Sequence, residues 1–139
     1  MESRSSTRVE VLQWAHDLYE SAIDHRDAQA FASAFTPDAW LRLGNHEPTI
    51  GREAILGSMA RFFTTMVSVH HEPAGTWLDH GTLVLEAMVT FQRHDGRKVT
   101  VPSATILRLT TTAGQVDHPP LADQCRIFVD LSPLYAIDP

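Results

Sequence analysis

Residues 83–106, LVLEAMVTFQRHDGRKVTVPSATI, hold two runs of alternating and β-branched residues separated by Asp95-Gly96, a dipeptide typical of a two-residue hairpin turn. With Asp95 and Gly96 as the central residues, His94 faces Arg97. Thr90 then pairs with Val101, Met88 with Ser103 and Glu86 with Thr105, all on one face. The other face carries Leu83, Leu85, Ala87, Val89 and Phe91 opposite Pro102, Ala104 and Ile106. Both faces are at least half apolar, so this reading predicts a sheet covered on both sides.

Upstream, the pattern turns helical. Thr7-Arg8-Val9-Glu10 has the form of a capping box, and Leu12, Ala15, Tyr19 and Ala22 recur at helical spacing to about Asp24. Asp27 can cap a second helix with Phe31, Ala34 and Phe35 on one stripe, stopped by Thr36-Pro37. A brief strand around Trp40 to Leu43 follows. Gly51 then opens a third helix with Ile55, Met59, Phe62, Phe63 and Met66 on its apolar side. Downstream, Thr110 to Gly114 reads as a turn, Gln115 to Asp123 as a loop and Cys125 to Leu131 as the last strand. Three helices can cover one face of the sheet, and a second copy is the economical cover for the other, so a homodimer is expected.

The 139 residues suit one domain, expected over 1–139 with tails at 1–6 and 132–139. Apolar residues at 43% and charged residues at 20% place the chain among globular proteins and exclude intrinsic disorder. Eleven Lys and Arg stand against seventeen Asp and Glu, a net charge of −6 with no basic run, which argues against nucleic acid as a partner. No segment approaches the ~18 apolar residues of a membrane span, and the polar Met1–Ser6 stretch has no apolar run behind it. A soluble, cytoplasmic protein with no membrane partner is expected. The single cysteine, Cys125, permits neither an internal disulfide nor a cysteine-based zinc cage, and beside Ile127 and Val129 it reads as a small buried hydrophobe.

Among residues that could carry chemistry, Glu86 places one carboxylate in an otherwise apolar strand. Turned inward, it would be desolvated and suited to proton transfer near neutral pH; turned outward, it faces solvent or a dimer partner. His70 and His71 point to opposite sides of a strand, so one enters the interior as an acid/base or donor group, and the spacing leaves open which. His70-x-Glu72 is too sparse for an iron site, and no metal or cofactor is expected. Tyr19 needs a hydrogen-bond partner if buried. With Trp14, Phe35, Phe62, Phe63, Phe31 and Trp77 it can line a deep apolar pocket. Signatures of Ser/His/Asp or Cys/His nucleophiles and of a Gly-rich phosphate loop are missing.

Phe35-Thr36-Pro37-Asp38-Ala39, Gly51-Arg52-Glu53-Ala54-Ile55, Asp95-Gly96-Arg97 and Arg126-Ile127-Phe128-Val129-Asp130 together resemble the nuclear transport factor 2 superfamily, and within it the SnoaL-like branch. The resemblance spans nearly the whole chain. It implies an α+β fold in which three N-terminal helices pack on a strongly curved antiparallel sheet, forming a cone with an internal apolar pocket. Members include ketosteroid isomerases, polyketide cyclases, scytalone-type dehydratases and limonene-type epoxide hydrolases, beside non-catalytic carriers, so the fold does not settle the function.

Residue by residue, Tyr19 falls where ketosteroid isomerases keep an oxyanion tyrosine, and Thr105 where they keep a protonated aspartic acid. Their general-base position holds Leu43. The water-holding positions of limonene-type hydrolases read Leu41 and Leu43, and their Arg and two Asp positions read Glu86, Met88 and Ile127, so that machinery is missing. The interval from His70 to Trp77 matches that from the catalytic histidine to a tryptophan in scytalone-type dehydratases; a one-residue slip chooses His71 instead.

The expected site therefore contains Glu86 and His70 or His71 as proton-transfer groups, Tyr19 and Thr105 as donors, and Asn45 or His46 at the mouth. Trp14, Phe35, Leu43, Met59, Phe62, Phe63, Trp77, Met88, Val101, Ser103 and Ile127 complete its wall. The expected function is cofactor-independent acid–base catalysis, a cyclisation, isomerisation or dehydration of a hydrophobic polyketide- or terpenoid-like molecule in natural-product biosynthesis. The alternative is a non-catalytic domain that binds a hydrophobic ligand or only dimerises. Arg126 and Asp130 alternate with Ile127 and read as structural or interfacial.

Overall fold

In the computed structural model, which describes residues 4–137, helix α1 (Arg8–Asp17) runs into a π-helical segment (Leu18–Ile23), and α2 (Ala28–Ala32) follows. Strands β1 (Phe35–Leu43) and β2 (Thr49–Ile50) precede α3 (Arg52–Phe63). A meander of β3 (Ser68–Asp79), β4 (Thr82–Gln92) and β5 (Lys98–Leu109) comes next. The small β6 (Thr111–Thr112) and β7 (Gln115–Val116) hairpin then leads to β8 (Ala122–Val129) and a short α4 (Ser132–Tyr135).

The capping box closes on α1: Glu10 N donates to Thr7 Oγ1 at 3.2 Å and Thr7 N to Glu10 Oε1 at 3.0 Å. Arg4 adds two hydrogen bonds to the same carboxylate, at 2.7 and 2.8 Å, which with the backbone bond hold the Glu10 carboxyl down at about 2. Asp27 caps α2 through Ala30 N at 3.0 Å. This helix ends at Ala32, before the expected Thr36-Pro37 stop, because Phe35 already pairs with Ala122 of β8. Pro37 is tolerated in β1 because the ladder skips from Phe35 to Trp40 there, so its missing donor is not needed. The strand is therefore nine residues long rather than the brief one expected around Trp40.

The six-stranded sheet has the order β2-β1-β8-β5-β4-β3 and is antiparallel except between β1 and β8. That parallel pair, absent from the sequence reading, joins strands from opposite ends of the chain, where no hairpin dictates direction. Bulges between Pro73 and Gly75 and between Arg108 and Leu109 add local twist to the curved sheet. The helices pack on its inner face around Val11, Phe31, Ile55, Leu83 and Leu107.

The β4–β5 hairpin is offset by one residue from the sequence reading. Arg93 N donates to Arg97 O at 2.7 Å and Gly96 N to Arg93 O at 3.0 Å, so the loop is His94-Asp95-Gly96. Gly96, at φ 89°, supplies the left-handed residue that closes a three-residue turn. The partners are Thr90 with Thr100, Met88 with Pro102 and Glu86 with Ala104. One residue of slip exchanges the faces: Leu85, Ala87 and Val89 point inward opposite Thr105, Ser103 and Val101, while Glu86 and Met88 are exposed.

Of the expected tails, residues 1–3 and 138–139 lie outside the described residues. Ser6 Oγ donates to Asp117 O at 2.5 Å, and Leu131 and Leu134 are buried where α4 folds back on the body. Among the described residues no helix is long and apolar enough to cross a membrane.

Candidate active site

The π-helical segment decides which side chains meet. Asp24 N bonds to Tyr19 O at 2.8 Å and Asp27 N to Ala22 O at 2.9 Å, both steps of five residues. That wider winding brings Asp24 nearly above Tyr19, whereas α-helical winding would turn the two apart. Both then reach β3, the free edge of the sheet. His71 Nδ1 donates to Asp24 Oδ1 at 2.7 Å, and His71 N approaches both carboxylate oxygens at 3.1 and 3.2 Å. An ionised Asp24 can only accept, so it fixes the ring with hydrogen on Nδ1 and leaves Nε2 as the basic nitrogen.

The Tyr19 ring stacks on His71 with centroids 4.5 Å apart and planes 12° apart. Its hydroxyl is buried and makes no well-formed hydrogen bond, with the Thr105 hydroxyl its polar neighbour. Burial pushes the phenol well above its ordinary value of 10, only partly offset by the adjacent Thr105 hydroxyl, so Tyr19 stays neutral and keeps its proton.

Tyr19 and His71 edge a small interior cavity of about 40 Å³, whose apolar wall includes Ile23, Met59, Phe62, Val89 and Phe91 and whose other polar members are Ser103 and Thr105. Val129 and Leu131 also line an adjoining mouth pocket of about 530 Å³, together with Gly44, Asn45, His46, Phe128, Asp130, Ser132 and Tyr135. On the far side of the Tyr19–His71 stack lies a groove of about 440 Å³ with His16, Glu20, Asp24, His25, His70 and Glu72. Among the described residues, no group of three or more His, Cys, Asp or Glu side chains is arranged to hold a metal ion.

A SnoaL-like domain model matches residues 15–117, most of the chain and every element that builds the cavity except β8. The chain belongs to the SnoaL-like domain family. Among solved structures, this SnoaL-like domain is similar to a protein assigned as a SnoaL-like polyketide cyclase from Jannaschia sp. CCS1, with 16% identity, TM-score 0.72 and coverage of 97% of this chain and 95% of that one. It is also similar to ActVI-ORFA from Streptomyces coelicolor, with 20% identity, TM-score 0.70 and coverage of 88% and 96%. A third similar structure is TerC co-crystallised with polyporic acid, with 14% identity, TM-score 0.70 and coverage of 91% and 95%. No curated protein matches the sequence.

In this SnoaL-like domain, the cavity wall includes Tyr19, His71, Thr105, Ser103, Leu43, Met59, Phe62 and Ile127, while Asn45 and His46 line the mouth. His71 is the inward histidine, its side chain 9% exposed, and His70, at 74%, points outward. The interior position expected for Glu86 is overturned by the three-residue turn: it pairs with Ala104 and is exposed on the outer face. Met88 and Trp77 share that face, and both are exposed, so neither lines the cavity. Phe35, Phe63 and Val101 are buried in the core behind the wall, and Trp14 packs on it partly buried from α1; none of these four lines the cavity.

Asp24 was missed by the sequence reading, which placed it at the end of a helix. Helical periodicity carries no mark of the π winding that aims it inward. The usable signal lay elsewhere, in the His70-His71 pair, since a buried imidazole needs an acceptor near its strand.

Proposed function

We propose that this SnoaL-like domain is a cofactor-independent acid–base enzyme in which His71, oriented by Asp24, moves a proton on a hydrophobic small molecule. Tyr19 serves as the neutral donor to oxygen on the same molecule. The observation that carries the reading is the 2.7 Å Asp24–His71 hydrogen bond at the edge of a mostly apolar interior cavity. Proton abstraction beside a carbonyl, with the developing oxyanion held by a phenol, accounts for both groups and suits an isomerisation, a dehydration or a ring closure. A polyketide-like substrate, met in natural-product biosynthesis, is supported by family membership and by the likeness to a protein assigned as a SnoaL-like polyketide cyclase, and the co-crystallisation of TerC with polyporic acid supports a hydrophobic ring compound more generally.

The 40 Å³ interior is far below the ~150 Å³ that admits a benzene ring. Only the reacting end of a ligand enters without movement of Leu131, and the remainder occupies the mouth. The mostly apolar lining also suits a second reading, a binding module for a hydrophobic ligand. The two are separated by screening flat phenolic and quinonoid compounds for binding and turnover. Enzyme action requires that His71→Gln lower kcat by roughly 10²–10⁴-fold with binding kept, and that Asp24→Asn also lower it. Saturable binding without turnover selects the module.

A homodimer through the outer face of the sheet is part of this proposal. Trp77, Met88 and Phe128 are exposed there together, beside Val84, Ala104 and Ile106.

A further inference from the structure

Asp24 sits against the free edge of β3, and so it can be reached from both faces of the sheet. His71 approaches from the inside and uses Oδ1. His70 leaves the strand on the opposite side, yet its Nδ1 lies 3.5 Å from Oδ2, the oxygen that the His71 ring does not take. One carboxylate, with 12% of its side chain exposed, thus joins a nearly buried imidazole to one in open solvent.

We propose that His70 is a positioning residue for the Asp24–His71 pair. Protonated from bulk water, it holds Oδ2 and takes a share of the carboxylate charge, loosening the grip of Asp24 on a cationic His71; neutral, it returns that charge to His71. The inference rests on the reading of His71 as the proton-transfer group and adds a control that answers to solvent pH. His71 lines the interior cavity and Asp24 is mostly buried at the groove, so contact with bulk water is widest at His70.

Other ionisable groups around the groove are accounted for. On the helical side, His16 Nε2 lies 2.5 Å from Glu20 Oε2, so these two groups face each other. Arg26 is engaged with Met66 O at 3.3 Å. His25 follows Asp24 in the chain, and Glu72 follows His71 on the outer side of β3; both line the groove, and neither is ion-paired with Asp24. Neither changes between the variants compared below.

The test needs no substrate. Nitrogen-15 imidazole spectra of the full chain are recorded across pH for the wild type, His70→Gln and His70→Arg. The glutamine is never charged and the arginine always is, so the pH at which His71 takes its second proton should be lowest in His70→Arg, intermediate in the wild type and highest in His70→Gln. A spread of roughly half a pH unit or more is expected for charges at this range. Superimposable curves, or the reverse order, overturn the proposal. Matching amide spectra and Tm values among the three proteins exclude a change in folding as the source. Failure of the enzymatic reading is a separate result: the ordered titrations would persist while His71→Gln left turnover unaltered.

Discussion

The Tyr19 hydroxyl is buried and makes no well-formed hydrogen bond, so its removal separates stability from function. Tyr19→Phe keeps the ring and its stack on His71 while relieving an unsatisfied polar group. Stability in urea should be unchanged or raised by up to about 1 kcal/mol. If the phenol supports the reaction, kcat should fall by roughly 10²-fold, as for a lost oxyanion donor. A loss of stability larger than about 1 kcal/mol would show that the hydroxyl is bonded after all and not held ready for a ligand. At this scale the sequence was legible where alternation applies, since His70 and His71 had to part across the strand. It was illegible at Asp24, whose direction depends on a five-residue hydrogen-bond step invisible in residue types.

Secondary elements fail or hold at their ends. Gly96 takes φ 89° in the β4–β5 turn, and a Cβ there would meet nothing within 4 Å. Gly96→Ala therefore measures backbone strain alone, with an expected loss of about 1–2 kcal/mol by chemical denaturation. The same turn explains the main error of sequence reading: Asp-Gly serves two- and three-residue loops alike, and the choice between them moves Glu86 from the interior to the surface.

At the other end of the chain, Arg4 and the capping box hold the Glu10 carboxyl at about 2, below its usual 4.5. Such a depressed group contributes stability above pH 4.5 and loses it as pH falls toward 2. Amide-exchange protection in the first turn of α1 should fade across that window. In Arg4→Gln the Glu10 carboxyl carbon should titrate nearer 4.5, and an unmoved midpoint would assign the shift to Thr7 alone.

For the whole molecule, the alternation of β4 and β5 already implied a sheet with two apolar faces; which residues occupy the outer one required the observed register. That face carries Glu86 in the row of Ala104 and Phe128, and Arg126 in the next row beside Ile106. Arg126 has a buried Nε with no hydrogen-bond partner, and its guanidinium lies 5.9 Å over the Phe128 ring. In a face-to-face dimer, a two-fold axis crossing β5 perpendicular to the line from Glu86 to Arg126 places each carboxylate over the other copy's guanidinium. Self-complementary charge of this kind fixes register within an apolar patch whose area supplies the attraction. Glu86→Arg alone and Arg126→Glu alone each set like charges against one another and should weaken association at least ~10-fold in sedimentation experiments. The double exchange should restore most of the loss, because each copy then offers the mirrored pair. Met88→Glu, which buries a charge without a mate, should stay monomeric in either background. A wild-type chain that remains monomeric at tens of micromolar would remove the dimer, and recovery absent from the double exchange would remove this pairing while leaving the apolar contact in place.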